Sequence, residues 1–282
     1  MNDETVLTSI NAHGVALVTL NRPEVHNAFD EHLIARLTRE LRTLNADPKV
    51  RALVLAGSGK SFCAGADLNW MKRMARYSEA DNIKDALAFA ELMLTLNTLG
   101  KPTIARVHGP AFGGGVGLVA ACDIAIGTRD AVFSLSEVRL GLIPAVISPY
   151  VIAAIGERHA RRYFLTAERF DAGAAYRIGL IHEFAEIETL DETIIHFLQQ
   201  LLAGGPLAIG AAKQMIATVA HSPVDQQLME KTARGIAAIR ASKEGREGVA
   251  AFLEKRMPAW VNPLTAKDAK SAKKNKPKQK TK

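Results

Sequence analysis

The sequence predicts a mixed α/β fold with a helical C-terminal region. Three observations carry that class. Short apolar runs bounded by turn residues alternate with helical periodicities through the first half of the chain. From Pro149 onward the strand signals stop and helical patterns follow one another. Two of the strand-to-helix turns, around Ala64 and around Gly113, are built from Ala and Gly.

Residues 5–11 and 15–20 (VALVTL) read as two β-runs, His13-Gly14 as the hairpin turn between them, and Asn21-Arg22-Pro23 as the stop. From Asp30 to Leu44 apolar residues at 33, 34, 37, 41 and 44 form a helical stripe, with Asp30 as its cap. RALVLA (51–56) is an apolar run of strand length. Residues 68–99 read as helical, with a looser polar patch from Tyr77 to Asn82. Pro102 to Val107 is a strand, His108-Gly109-Pro110 a turn, and Gly114 to Cys122 a small-residue helix. Short strands follow at 124–126 and 131–134. Helices are expected near 150–156, 158–166, 171–178, 190–202, 206–219, 223–240 and 243–256. No strict internal repeat is present.

Composition narrows the function classes. The chain has 282 residues, 48% of them hydrophobic and only 6% aromatic, enough for a large aliphatic core. The net charge of +7 belongs to the end of the chain: Thr265 to Lys282 holds eight Lys and one Asp, and the remainder balances 28 basic against 28 acidic residues. From Ala266 on, that segment has no aliphatic residue larger than Ala, so it reads as a solvated extension. No aromatic interleaves its lysines, so specific nucleic-acid binding is not expected. No stretch of about 18 apolar residues suggests a membrane span, and the acidic start MNDET has no targeting character. Cys63 and Cys122 make neither a disulfide framework nor a metal spacing. A cytoplasmic protein without a metal is the expectation.

Gly59-Lys60-Ser61 resembles the end of a nucleotide-binding loop, but the first glycine of such a loop would be residue 54, which is Val. The segment Gly113-Gly114-Gly115-Val116-Gly117-Leu118 fails the dinucleotide pattern, because its third glycine position is Leu118. Both nucleotide readings fall. What remains is a pair of strand-to-helix turns whose small residues admit a ligand to the backbone. The first N–H groups of a helix lack internal acceptors and carry partial positive charge. Two such turns side by side offer two donors to one oxyanion.

Ser61-Phe62-Cys63-Ala64-Gly65-Ala66-Asp67-Leu68, His108-Gly109-Pro110-Ala111-Phe112-Gly113-Gly114-Gly115 and Cys122-Asp123-Ile124-Ala125 together resemble the crotonase (enoyl-CoA hydratase/isomerase) superfamily. The resemblance runs from Leu20-Asn21-Arg22-Pro23-Glu24 to Phe252-Leu253-Glu254-Lys255-Arg256. It implies a crotonase-like spiral of ββα repeats over residues 1–200, a C-terminal helical trimerisation region over 201–262, and a Lys-rich tail over 263–282. It also implies homotrimers, often paired into hexamers, an acyl-CoA thioester as substrate, and no separate cofactor. Carried over residue by residue, the oxyanion donors are the N–H groups of Ala66 and Gly114. The segments around Val25, Ala64, Asp67 and Leu68 correspond to those that hold CoA, and Phe252 and Lys255 to positions near its nucleotide end.

Hydration of an unsaturated thioester needs groups to activate water and to protonate the α-carbon, and buried carboxylates suit both. Glu137, in FSLSEVRLGLIP, inherits one such role from the resemblance. The second carboxylate of the usual hydratases belongs at position 117, which is Gly. Three outcomes remain open: hydration by one Glu, a double-bond shift by one Glu, or another lyase reaction; a binder without turnover is the non-enzymatic reading. Ala145-Val146-Ile147-Ser148-Pro149, Trp70-Met71 and Pro258-Ala259-Trp260 resemble, within the family, bacterial methylglutaconyl-CoA hydratases and relatives from acyclic terpene breakdown. The implied reaction is hydration of 3-methylglutaconyl-CoA to 3-hydroxy-3-methylglutaryl-CoA in leucine catabolism. Arg139 is a candidate partner for the distal carboxylate of such a substrate; His26 and His108 read as bystanders.

Overall fold

A computed structural model describes residues 4–220 and 222–261. The chain divides into two compact units, Met1–Leu190 and Asp191–Lys282. The Lys-rich tail lies outside the described residues.

The first unit is built by a chain that keeps returning to two sheets. Strands β1 (Val6–Ile10) and β2 (Val15–Leu20) form the expected hairpin, its turn closed by Gly14 at φ +78°. Helix α1 (Glu31–Ala46) follows, capped by Asp30, whose side chain accepts from Leu33 N–H. Strand β3 (Ala52–Gly57) pairs parallel to β2; its first five residues are buried, as its unbroken apolar run requires. Helices α2 (Leu68–Met74) and α3 (Glu79–Asn97) replace the single helical stretch expected from 68 to 99. The break falls at the polar patch, where Ser78 caps α3 through Asp81 N–H.

Strand β4 (Thr103–Val107), the two-residue β5 (Ala111–Phe112) and helix α4 (Gly114–Ala121) come next, then β6 (Ile124–Thr128) and β7 (Val132–Ser134). Helix α5 (Ser148–Thr166) covers the two helices expected there; Gly156, at φ +72°, is the kink between them. Strand β8 (Phe170–Asp171), helix α6 (Ala172–Arg177) and strand β9 (Glu183–Ala185) close the unit.

The larger sheet has the order β1-β2-β3-β4-β6-β9, parallel except for the β1–β2 edge; the smaller is β5-β7-β8. An isolated bridge from Cys63 to Ala111 extends the smaller sheet. Each passage of the chain therefore leaves one segment in each sheet and then a helix: β3 with Cys63, β4 with β5, β6 with β7. That is the spiral of ββα units. Its core is aliphatic with a few aromatics, among them Phe29, Phe62 and Phe133 at 1% exposure or less. Both cysteines are buried and neither forms a disulfide, and burial raises the Cys63 thiol to about 12.

The second unit holds α7 (Leu190–Ala203, from the last residue of the first unit), α8 (Pro206–Val219), α9 (Gln226–Ala241) and α10 (Lys243–Leu253). Asp225 and Ser242 cap α9 and α10. Glu244 accepts from Leu207 N–H at 2.9 Å and Ala208 N–H at 2.8 Å, so a carboxylate from α10 satisfies the start of α8. Among the described residues no single helix is long and apolar enough to cross a membrane; α7 and α8 would pass only together, and they are bent by 101°.

Candidate active site

Two left-handed glycines shape the site. Gly65 has φ +90° and Gly113 φ +50°, a region that L side chains enter only with strain. The two turns touch: a Cβ on Gly65 would lie 3.0 Å from the Phe112 carbonyl oxygen and 3.9 Å from Gly113 Cα. Phe112 N–H donates to Cys63 O at 2.9 Å, and Gly113 N–H to Ser134 O at 2.9 Å. The amides that follow these glycines are those of Ala66 and Gly114. Among the described residues neither donates to another backbone group.

Phe29 touches both turns. Its N–H donates to Gly65 O at 2.7 Å and its carbonyl accepts from Asp67 N–H at 2.8 Å, which brackets Ala66. Its ring lies where a Cβ on Gly114 would be, with the Phe89 ring of α3 beside it at 5.1 Å between centroids. Both side chains escape a sequence reading, because they lie 85 and 25 positions before Gly114 with no local pattern to link them.

The Ala66 turn is locked from behind. Arg22 Nη1 donates to Ala28 O at 2.7 Å and pairs with Asp30 at 2.9 Å, while Nη2 pairs with Asp67 at 3.1 Å. Asp67 also caps α2, accepting from Asn69 N–H at 2.7 Å and Trp70 N–H at 3.2 Å. Burial alone would raise its carboxyl; the two amides and the Arg22 guanidinium outweigh that and hold it below the ordinary range. Asn27, fully buried, sits at φ +56° and donates to Ser58 O and Ser61 O, both at 2.8 Å. The sequence places Arg22 in a strand ending and in the family motif, and assigns Asn27 no role; folding makes both supports of the Ala66 turn. The buried Asn, a type that tolerates the left-handed region, was the available signal.

Glu137 begins a 3-10 turn (Glu137–Leu140) ended by Gly141 at φ +71°. Its Oε1 lies 3.1 Å from where a Cβ on Gly113 would be, which puts the carboxyl against the Gly113 turn. Its Oε2 is buried and has no hydrogen-bond partner among the described residues. Burial raises its pKa, and only its own backbone N–H pulls the other way.

Position 117 is closed to a side chain. A Cβ there would overlap Ile147 Cγ2, lie 2.9 Å from Ile147 Cβ and 3.3 Å from Met93 Cε. Ile147 and Met93 are both buried. The missing carboxylate is therefore replaced by packing, a fact that the sequence alone does not reveal.

The other expected residues separate by place. Val25 ends a 3-10 turn (Pro23–Val25) and is half-buried; the adjoining His26 carbonyl accepts from Ala64 N–H at 3.0 Å. Leu68, at the start of α2, is 74% exposed. These join the Ala66 turn. Phe252 and Lys255 lie in the second unit, Phe252 82% exposed and Lys255 at φ +54°. His26 Nδ1 meets Ser61 Oγ at 3.0 Å and His108 Nε2 meets Gly59 O at 3.0 Å, both loop contacts. Arg139, in the same 3-10 turn as Glu137, is exposed. Among the described residues no cluster of His, Cys, Asp and Glu could hold a metal ion.

A family model described as "Enoyl-CoA hydratase/isomerase" matches residues 11–263. The chain is similar to a solved enoyl-CoA hydratase from Shewanella pealeana, with 44% identity, a TM-score of 0.88, and coverage of 91% of this chain and 96% of that one. It is 32% identical to the 2,3-dehydroadipyl-CoA hydratase of Escherichia coli, covering 86% of this chain and 94% of that protein. It is 33% identical to the 1,2-epoxyphenylacetyl-CoA isomerase of the same bacterium, covering 88% and 95%.

Proposed function

Since the chain belongs to the enoyl-CoA hydratase/isomerase family, we propose that it hydrates an α,β-unsaturated acyl-CoA with Glu137 as its one acid/base. The preferred substrate in this reading is 3-methylglutaconyl-CoA, giving 3-hydroxy-3-methylglutaryl-CoA. The observation that carries it is the Glu137 carboxyl beside the Gly113–Gly114 turn, one oxygen buried and unpartnered among the described residues.

The thioester carbonyl accepts from the N–H groups of Ala66 and Gly114. As the carbonyl gains enolate character these bonds strengthen, each contributing about 2.7–4 kcal/mol if it matches oxyanion donors elsewhere. The Glu137 carboxylate takes a proton from water as the water oxygen bonds to the β-carbon. The protonated Glu137 then gives a proton to the α-carbon, the enolate collapses to the thioester, and the carboxylate is restored. A pKa raised by burial favours both transfers, because it brings the acid and base forms closer in population near neutrality.

In the same reading, the backbone around Val25, Ala64, Asp67 and Leu68 holds CoA. Phe252 and Lys255 serve its nucleotide end in an assembly of three or six copies. The second unit exposes Ile216, Val224, Met229, Phe252 and Leu253, apolar surface that such an assembly would cover. The reading places the enzyme in the cytoplasm, with no cofactor beyond the CoA of its substrate.

Gly117 favours one second reading, a double-bond shift in which Glu137 moves a single proton between carbons. Incubation with 3-methylglutaconyl-CoA and with crotonyl-CoA separates the two. Loss of conjugated thioester absorbance marks hydration, and a displaced double bond marks isomerisation. Unchanged turnover in Glu137→Gln would remove the residue from either scheme.

A further inference from the structure

Helix α5, strand β8 and helix α6 line a cavity of about 470 Å³. Its wall carries His159, Arg162, Arg169 and Arg177 together with the carboxylates of Glu168 and Asp171. Between Arg158 and Arg177 the chain has five arginines against two acids, Glu168 and Asp171, although residues 1–264 as a whole are balanced in charge. Both acids are already engaged. Glu168 accepts from Arg162 Nε at 2.7 Å and Nη2 at 3.0 Å, and from the Thr166 hydroxyl at 3.1 Å. Asp171 caps α6, its Oδ1 accepting from Ala174 N–H at 2.7 Å.

With Arg162 paired to Glu168, the wall keeps the guanidinium groups of Arg169 and Arg177; Arg177 Nη1 and Asp171 Oδ1 flank Gly173, each 3.5 Å from where its Cβ would lie. Arg169 lies 5.3 Å over the Phe112 ring, as Arg162 lies 5.0 Å over Tyr163. A guanidinium over a ring keeps N–H groups for hydrogen bonding and gives up little freedom when it binds, which applies here to Arg169. Together with the Arg177 guanidinium it offers a tetrahedral dianion several donors at once.

We propose that this cavity binds a phosphate group, inorganic or carried by a nucleotide, through Arg169 and Arg177 with His159 as a further donor. The site belongs to the first unit and is built from α5, β8 and α6, none of which supplies a residue to the proposed hydration. It does not depend on the proposed reaction.

The test titrates the full-length protein with sodium phosphate, and separately with AMP, by calorimetry at constant ionic strength in chloride. Saturable binding is expected, weakened about tenfold or more in Arg169→Ala/Arg177→Ala, with acetyl-CoA affinity unchanged in Arg177→Ala alone, which leaves the Arg169–Phe112 contact in place. Tighter binding of AMP than of phosphate identifies a nucleotide as the source; equal affinity identifies the free ion. No saturable binding of either probe overturns the proposal, as does equal affinity in the double variant. If that variant does not fold, Arg177→Gln takes its place, and an unchanged affinity there overturns the proposal equally. A wild type blind to both probes, with a variant of altered oligomeric mass, would reassign the cavity to contact between copies.

Discussion

Gly117→Glu is the most informative substitution, because it restores a carboxylate at a position that the fold has filled with hydrocarbon. The first atom of any side chain at 117 would overlap Ile147 Cγ2 and approach Ile147 Cβ to 2.9 Å and Met93 Cε to 3.3 Å. Ile147 is branched at Cβ and 2% exposed, so it has little freedom to swing away. Overpacking of this kind costs about 1–3 kcal/mol. Burying the polar end of the new side chain without a partner adds roughly 1–3 kcal/mol. Replacing Gly in a helix interior returns about 1 kcal/mol. The net loss is roughly 1–5 kcal/mol, and in a chain of this size each kcal/mol lowers Tm by about 2–4 °C. Ile147→Ala alone should destabilise by about 2–5 kcal/mol through its cavity. The double variant should lose less than the sum of the two, since the new side chain enters the vacated space. Thermal melts of the four proteins read this cycle without reference to activity. A Gly117→Glu protein melting with the wild type, or strict additivity in the cycle, would refute the steric account.

Three further outcomes follow from the site. Glu137→Gln should abolish turnover while CoA binding, read by calorimetry, persists; its pH dependence gives a second check. A raised carboxyl pKa favours the folded state below the ordinary value and loses that contribution as pH rises through the folded pKa. Glu137→Gln should therefore melt above the wild type at neutral pH, with the gap narrowing on acidification, and the wild-type kcat/KM should fall on the acid side above the ordinary carboxylate range. Gly113→Ala places a methyl 3.1 Å from Glu137 Oε1 at φ +50°. Left-handed strain of about 1–2 kcal/mol should accompany a fall in kcat, and a wild-type kcat would show that the carboxyl does not act from this position. Asp67→Ala removes the α2 cap, worth about 0.5–2 kcal/mol, and one of the two carboxylates paired with Arg22. It should lower both Tm and kcat, and Arg22→Ala/Asp67→Ala should melt lower still, because Arg22 also holds Asp30 and Ala28 O.

What could be read from the sequence was what leaves a local mark. Strands β2 and β3 announce themselves as unbroken apolar runs, α1 by its stripe and its Asp cap, and the two turns by glycines that the backbone demands. The strands β5 and β8, each two residues long, have no periodicity to detect and exist only through their pairing with β7. The break between α2 and α3 was visible as a polar patch without being recognisable as two helices. The site divides in the same way. Ala66, Gly114 and Glu137 stand in motifs, whereas Phe29, Phe89, Met93 and Ile147 act by meeting across elements distant in sequence. Arg22 lay within a motif, but its two ion pairs reach Asp30 and Asp67 only after folding.

One face of α4 links the oxyanion donor to the state of the acid. Gly114 and Gly117 lie three residues apart on that helix, on the same side. Phe29 and Phe89 cover the first, Ile147 and Met93 the second. A wall of this kind excludes water and lowers the local dielectric, which strengthens the bond between an amide and a developing negative oxygen. The same exclusion of water disfavours an ionised carboxylate at Glu137, and burial is indeed the leading cause of its raised pKa. A second carboxylate at 117 would break that wall and set a like charge in the same pocket. A variant that opens the wall at Ile147 should lower the apparent pKa on the acid limb of kcat/KM, and an unchanged acid limb would show that this wall does not shield Glu137.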